Sequence, residues 1–356
     1  MKKFIVIVPL MIPGWFLHFK KPQQGINKIQ IIGSHNSYKE YIDTPLFLMI
    51  KKEAPNSGRE IEYGNTSLSD QLNLGLRSLE IDVYADAKGG KYAHPGGLVW
   101  AGTNPLRPYD PGGLMHEPGF KVLHVQDIDF RSNCLTLKNC LRELKAWSDA
   151  HPDHDPVFIT VNTKDDTIRR LAFTLPEKFT PETFNELDKA IVDNLGLQKI
   201  VIPDMVRGKF ETLEKAVLNN NWPSRKESKG KFIFVLDEEG DKLSYYLKDH
   251  PALKERILFV NAPAGTPEAA IIIINDPVKD LNKIQELVKK GYIVRTRADA
   301  DTKEARTNDK SRFLAACKSG AQIISTDYYE KSKLFKSDYI VSFGGGKYVR
   351  KNPLLK

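Results

Sequence analysis

The sequence predicts an α/β protein: a single (β/α)8 barrel of the TIM type, regular or somewhat distorted. Three observations carry that expectation. About eight short β-rich runs recur along the 356 residues, helical patterns lie between several of them, and no Gly-x-Gly-x-x-Gly follows the first run. Strands that alternate with helices pair in parallel through right-handed crossovers, and eight such units close a barrel of ordinary size. The missing glycine fingerprint counts against the alternative, a doubly wound open sheet. Hydrophobic residues at 41% and charged residues at 28% are globular averages and exclude a disordered or collagen-like chain. A mean hydropathy of −0.39 excludes a polytopic membrane protein.

In chain order, residues 1–25 come first and read as a targeting sequence, a signal peptide or an N-terminal anchor. Lys2 and Lys3 precede an apolar run from Phe4 to Phe19, interrupted by Pro9, Pro13 and Gly14, and Lys20-Lys21-Pro22 follow. A basic start, an apolar centre and a polar exit describe a secretory signal, and the run is short for a membrane span of about 20 residues. Trp15 and His18 stand where a signal peptidase prefers small side chains, so an uncleaved anchor is the alternative to cleavage. Either way the chain is expected to be exported, periplasmic or secreted. The four lysines of this segment carry half of the formal net charge of +8. What remains on the fold is no nucleic-acid footprint.

The β-rich runs are 28–33, 77–85, 121–125, 156–163, 231–237, 256–261, 292–298 and 321–328, and the helical patterns are 137–151, 180–196, 281–291 and 308–320. Thr180 followed by Pro181 is N-cap chemistry, and Gly320 is C-cap chemistry. The glycine- and proline-rich stretch 86–120 is too long for a simple connection and is expected to fold over the barrel mouth. Residues 26–342 form the expected barrel domain. Residues 343–356, beginning with Phe343 and Gly344-Gly345-Gly346, look like a C-terminal extension. Cys134 and Cys140 can close a small disulfide loop in an exported protein, leaving Cys317 as a buried free thiol.

Polar residues gather at the strand ends, where a barrel does its chemistry. The first run leads into Gly33-Ser34-His35-Asn36-Ser37. In the second, Leu79, Ile81 and Val83 alternate with Glu80, Asp82 and Tyr84, so the two carboxylates share one strand face. Buried side by side as ions they are costly. A divalent cation with hard oxygen ligands, Ca2+ or Mg2+, removes the difficulty; an edge strand with solvated acids is the bland alternative. The third run ends in Leu123-His124-Val125-Gln126 and the fourth in Asn162-Thr163-Lys164-Asp165-Asp166. Two histidines, a carboxylate pair, amide oxygens and a lysine at successive strand ends point to acid–base work on a phosphate ester. Arg295 and Arg297 share a strand face and either fork onto a phosphate or pair with Asp299 or Asp301. Asp237, and Tyr328 as a side chain that stacks on a ring, complete the substrate-binding candidates. His94 and His116 read as surface residues.

These segments carry a resemblance. GSHNSY (33–38), LRSLEIDVYAD (76–86), FKVLHV (120–125) and RTRADADTKEARTNDKSRFLAACKSGAQIISTDYY (295–329) resemble the bacterial calcium-dependent, phosphatidylinositol-specific phospholipase C family. That family is related to the X-box catalytic barrel of eukaryotic phosphoinositide phospholipases C. The resemblance covers roughly residues 28–330. It implies that His35 and His124 are the catalytic histidines and that Asn36, Glu80 and Asp82 are ligands of one calcium ion, magnesium being less suited. Where the eukaryotic pattern has a fourth ligand, a glutamate, this chain has Asn162. That departure lowers the negative charge of the site and implies weaker calcium binding. Lys164, on the same strand face as Asn162, is the implied phosphate contact.

The implied substrate is a phosphatidylinositol-type lipid at a membrane surface, with no nucleic-acid partner. A ring hydroxyl attacks phosphorus and expels diacylglycerol. His124 is then the general acid, and His35 either the base or a stabiliser of the phosphorane. Two rivals stand beside this reading. Glycerophosphodiester phosphodiesterases use a similar barrel but typically begin with His-Arg-Gly, where this chain has His35-Asn36-Ser37. A catalytically silent lipid-binding barrel is the other, and the retained histidines and carboxylates speak against it.

Overall fold

The computed structural model describes residues 24–102, 106–168 and 173–355. The targeting segment therefore lies almost wholly outside the described residues. Among those described, no helix is long and apolar enough to cross a membrane.

Eight parallel strands form a nearly closed barrel: β1 Ile29–Ser34, β2 Ser78–Val83, β3 Val157–Thr163, β4 Phe232–Leu236, β5 Phe259–Val260, β6 Ile271–Ile273, β7 Ile293–Arg297 and β8 Ile323–Thr326. Their spatial order is β5-β4-β3-β2-β1-β8-β7-β6. A lone parallel bridge between Asn261 and Ile271 joins the two ends. The barrel is thin at two seams. β5 and β6 are short, and β1 meets β2 only at Gly33 and Ser78. Gly33 is required there, because a Cβ on it would stand 2.4 Å from both Cβ and the carbonyl oxygen of Ser78.

Helices Leu137–Ala150, Pro181–Leu195, Leu281–Lys290 and Ser311–Ser319 form where the apolar periodicity places them. Thr180 caps the second by accepting from Thr183 N at 3.3 Å. Gly320, left-handed at φ 76°, ends the fourth. Their apolar faces close on the outward side chains of the strands. Leu79, Ile81 and Val83 of β2 lie in this core with Leu141, Leu144, Phe184 and Ile191.

One strand expectation needs correcting. Residues 121–125 are not a barrel strand. They make only single antiparallel bridges, Lys121 with Tyr84 and with Thr136, and Val125 with Asp129, so they form a small hairpin outside the barrel. The eighth strand comes instead from Ile271–Ile273, in a run of four isoleucines whose lack of alternation is that of a fully buried strand. The tail from Phe343 is also tied in. A ninth strand, β9 Val349–Lys351, lies antiparallel on β1. The stretch 86–120 packs Tyr92, Ala93 and Met115 against Leu46, Ile50, Leu123 and Phe130, beside the hairpin.

Cys134 and Cys140 are linked, and Cys317 is free and half-buried rather than buried. Peptide mapping without reductant should recover the 134–140 link with Cys317 alkylated. Alkylation of all three thiols would contradict it.

Candidate active site

The chain leaves β1 through His35 and turns sharply at Asn36, whose φ of 44° is in the left-handed region that asparagine tolerates. Asn65 holds this turn by donating from Nδ2 to the carbonyls of His35 at 3.2 Å and Asn36 at 2.8 Å. The His35 ring lies against four side chains. Nδ1 meets Asp327 Oδ1 at 2.8 Å and the Tyr63 hydroxyl at 3.3 Å, Nε2 faces Glu80 Oε1 at 3.6 Å, and Arg297 lies at 3.4–3.5 Å. Arg297 also donates to Asp327 Oδ2 at 3.1 Å. Burial, and then the Arg297 guanidinium, hold the imidazole pKa well below its ordinary value; the Glu80 charge opposes them. A carboxylate on Nδ1 makes that nitrogen the donor and leaves Nε2 as the acceptor.

Glu80 and Asp82 point into the barrel, 5% and 1% exposed. Their negative charge is answered from neighbouring strands. In the register of β3, Asn162 lies opposite Asp82 and donates Nδ2 to Glu80 Oε1 at 3.1 Å and Asp82 Oδ1 at 3.2 Å. Lys164 reaches Asp82 Oδ2 at 3.0 Å, and the Asp82 charge raises the lysine pKa. Arg295 of β7 pairs with Glu80 Oε2 and donates to Asn275 Oδ1 at 2.7 Å. The partners of Arg295 and Arg297 are thus Glu80 and Asp327, with Arg297 also donating to the Asp299 carbonyl, rather than the Asp299 or Asp301 carboxylates. The Asn36 side chain donates from Nδ2 to the Tyr63 hydroxyl at 2.7 Å.

His124 sits on the hairpin that follows β2. His124 N donates to Asp129 O at 3.2 Å across that hairpin, and the side chains meet as well, Nδ1 to Asp129 Oδ2 at 2.7 Å. Its charge is felt at His35, where it further lowers the pKa. Asp237, after β4, accepts from Asn261 Nδ2 at 3.0 Å, and burial raises its pKa.

Tyr328 is not part of this arrangement. Strand alternation turns Asp327 toward His35 and Tyr328 to the opposite side, where it is 3% exposed and packs edge-on against Phe335 and Tyr339. No face of it is left to stack on a ring. Four side chains that do build the site were not singled out for it from the sequence: Asp327, Asp129, Tyr63 and Lys39. Asp129 had a faint signal, a carboxylate five residues beyond a histidine, and Asp327 ended a strand. Tyr63 and Lys39 had none.

One family description covers nearly the whole chain. The model for "Phosphoinositide phospholipase C, Ca2+-dependent" matches residues 25–353. The chain belongs to that family. Two solved structures have the same fold. A calcium-dependent phosphoinositol-specific phospholipase C from a Pseudomonas species is 17% identical, covering 92% of this chain and 96% of that one, with a TM-score of 0.53. A calcium-dependent phosphatidylinositol-specific phospholipase C from Streptomyces antibioticus is 20% identical over 86% and 95% of the two chains, also at 0.53. No curated protein sequence matches. As a member of the phospholipase C family the protein is an enzyme, a phosphodiesterase of the phosphoinositide-specific class.

Proposed function

We propose that the protein cleaves phosphatidylinositol-type lipids to diacylglycerol and an inositol phosphate, with calcium, by in-line attack of the ring hydroxyl beside the phosphodiester. The observation that carries this reading is a pair of histidines, each with Nδ1 on a buried aspartate, at one end of a barrel that also presents Glu80 and Asp82. Burial holds the His35 imidazole pKa low, and its Nε2, between Arg297 Nη1 at 3.5 Å and Glu80 Oε1 at 3.6 Å, is the acceptor nitrogen that suits the base for the attacking hydroxyl. His124, oriented by Asp129, presents Nε2 as the acid for the leaving glycerol oxygen. Arg297 binds the phosphate side of the substrate, and Asp237 is placed to accept from a ring hydroxyl. An apolar groove of about 550 Å³, lined by Met49, Ile50, Ile61, Trp100, Val125 and Ile128, begins one residue beyond His124. It supports a leaving group with hydrocarbon chains.

The donor set fits calcium. Glu80, Asp82, Asn36 and Asn162 offer only hard oxygen and amide ligands, and the buried Asp82 Oδ2 is met by the one-third exposed Lys164 ammonium at 3.0 Å, a partner that a divalent cation can displace. When bound there, calcium supplies positive charge that lowers the hydroxyl pKa and stabilises the phosphorane. The chain's own cations oppose its entry, because Lys164 and Arg295 already neutralise the two carboxylates. Lys164→Met should therefore tighten calcium about tenfold in a calorimetric titration, allowing for solvent screening of a one-third exposed ammonium. An unchanged affinity would remove Lys164 from the metal balance and leave it as a phosphate contact alone.

The same reading has the protein exported, whether the N-terminal segment is cleaved or stays as an anchor. A Cys134–Cys140 link supports it, since such bonds persist in oxidising compartments. The test of function is phosphorus NMR of the purified protein with phosphatidylinositol vesicles and with glycerophosphodiesters, in calcium and in chelator. Turnover of the inositol lipid only, and only with calcium, is expected. Turnover of glycerophosphodiesters instead would overturn the proposal.

A further inference from the structure

Lys39 is fully buried, and an ammonium is almost never so placed unless it is paired. Its Nζ stands 3.4 Å from Asp129 Oδ1 and donates to the carbonyls of Tyr63 at 2.6 Å and Ile61 at 3.2 Å, over the Tyr63 ring at 4.6 Å from the centroid. The backbone ties it to both arms of the site. Lys39 N donates to Asn36 O at 2.9 Å, and Lys39 bridges to Ser132 on the segment that carries Asp129. A line of contacts thus runs from His124 through Asp129 and Lys39 to Tyr63, whose hydroxyl touches His35 and Asn36.

Asp129 has no exposure at all. A carboxylate in that position stays ionised only beside positive charge. His124 supplies such charge while it is protonated, but a general acid gives its proton away in each turnover. Among the described residues, the ion-pair partners of Asp129 are His124 and Lys39. Of the two, Lys39 takes no part in the proposed proton transfer.

We infer that Lys39 is a positioning residue: a buried, fixed cation that keeps Asp129 anionic in both protonation states of His124, and so keeps His124 Nε2 turned to the leaving oxygen. The inference rests on His124 being the general acid. It goes beyond that reading by assigning the group that makes the acid reusable.

The test compares phosphatidylinositol, whose leaving alkoxide needs a proton, with an inositol phosphodiester carrying a nitrophenolate, which does not. Lys39→Gln keeps a donor for the Tyr63 and Ile61 carbonyls without the charge, and Lys39→Met removes both. Either should lower kcat/KM on the lipid by about tenfold or more, with little change on the nitrophenyl ester. In an Asp129→Asn background the same substitution should add less than about twofold, since the pair acts as a unit. Equal losses on both substrates, or full additivity, would overturn the inference. If neither single variant folds by circular dichroism, Asp129→Asn/Lys39→Met, which removes both buried charges, must match Asp129→Asn in kinetics, and a far poorer double variant would equally overturn it. His124→Ala, run alongside, separates the two ideas. If it shows no preference between substrates, the acid assignment itself has failed; if it does while the Lys39 variants do not, only the role of Lys39 has.

Discussion

His124→Ala should lower kcat/KM for phosphatidylinositol by about 10²–10⁴-fold, the usual contribution of a general acid, and hurt a nitrophenyl inositol phosphodiester far less. The structure supplies the reason. Asp129 Oδ2, 2.7 Å from Nδ1, fixes the ring with Nε2 turned outward, where the imidazolium form would hold its second proton, and in the proposed mechanism the apolar groove beyond Val125 takes the lipid's glycerol side. A diacylglycerol alkoxide departs slowly without a proton, whereas nitrophenolate departs without help. His35→Ala should damage both substrates alike. In the proposed mechanism its Nε2 acts on the attacking hydroxyl, and attack precedes departure whatever the leaving group. Steady-state kinetics of both variants on both substrates check the assignment. Equal losses for His124→Ala would remove it as the acid, and the reverse pattern would exchange the two roles.

Side chains whose positions follow from strand period were legible in the sequence, and those that depend on closure were not. Glu80 and Asp82 share a face by the period of two, and His35 and Asn162 follow from where β1 and β3 end. That the shared face is the interior depends on Arg295 arriving from β7, 215 residues away in the chain. The partner of His35 comes from 292 residues away, because β8 closes the barrel against β1. Nothing local to GSHNSY marks it. KVLHV is rich in strand-forming residues but has no parallel neighbours to join, whereas the isoleucines of β6 do not alternate because the strand is buried on both faces. Lys39 reads as an ordinary surface lysine. The carboxylate folded beside it, 90 residues on, together with the Tyr63 and Ile61 carbonyls, makes its burial tolerable.

Asp82→Ala and Glu80→Ala should both abolish calcium-dependent turnover, yet differ sharply in stability. Each removes one of the two carboxylates proposed to hold the ion, and an oxygen site reduced to one carboxylate and two amides binds calcium poorly. Asp82→Ala frees Lys164, whose side chain is 33% exposed, and that ammonium can move into water. Its melting temperature should stay close to that of the parent. Glu80→Ala frees Arg295, which is 3% exposed and is left with Asn275 Oδ1 and Ser325 Oγ as neutral acceptors. Removing one partner of a buried ion pair typically destabilises by about 3–5 kcal/mol, enough to lower the melting temperature by many degrees. Glu80→Ala/Arg295→Met should recover most of that stability without recovering activity. Thermal unfolding in chelator, read beside calcium titrations of the phosphodiesterase rate, separates the two effects. Full turnover by Asp82→Ala in excess chelator would mean that the chain's own cations, Arg295 foremost, do the work assigned to the metal.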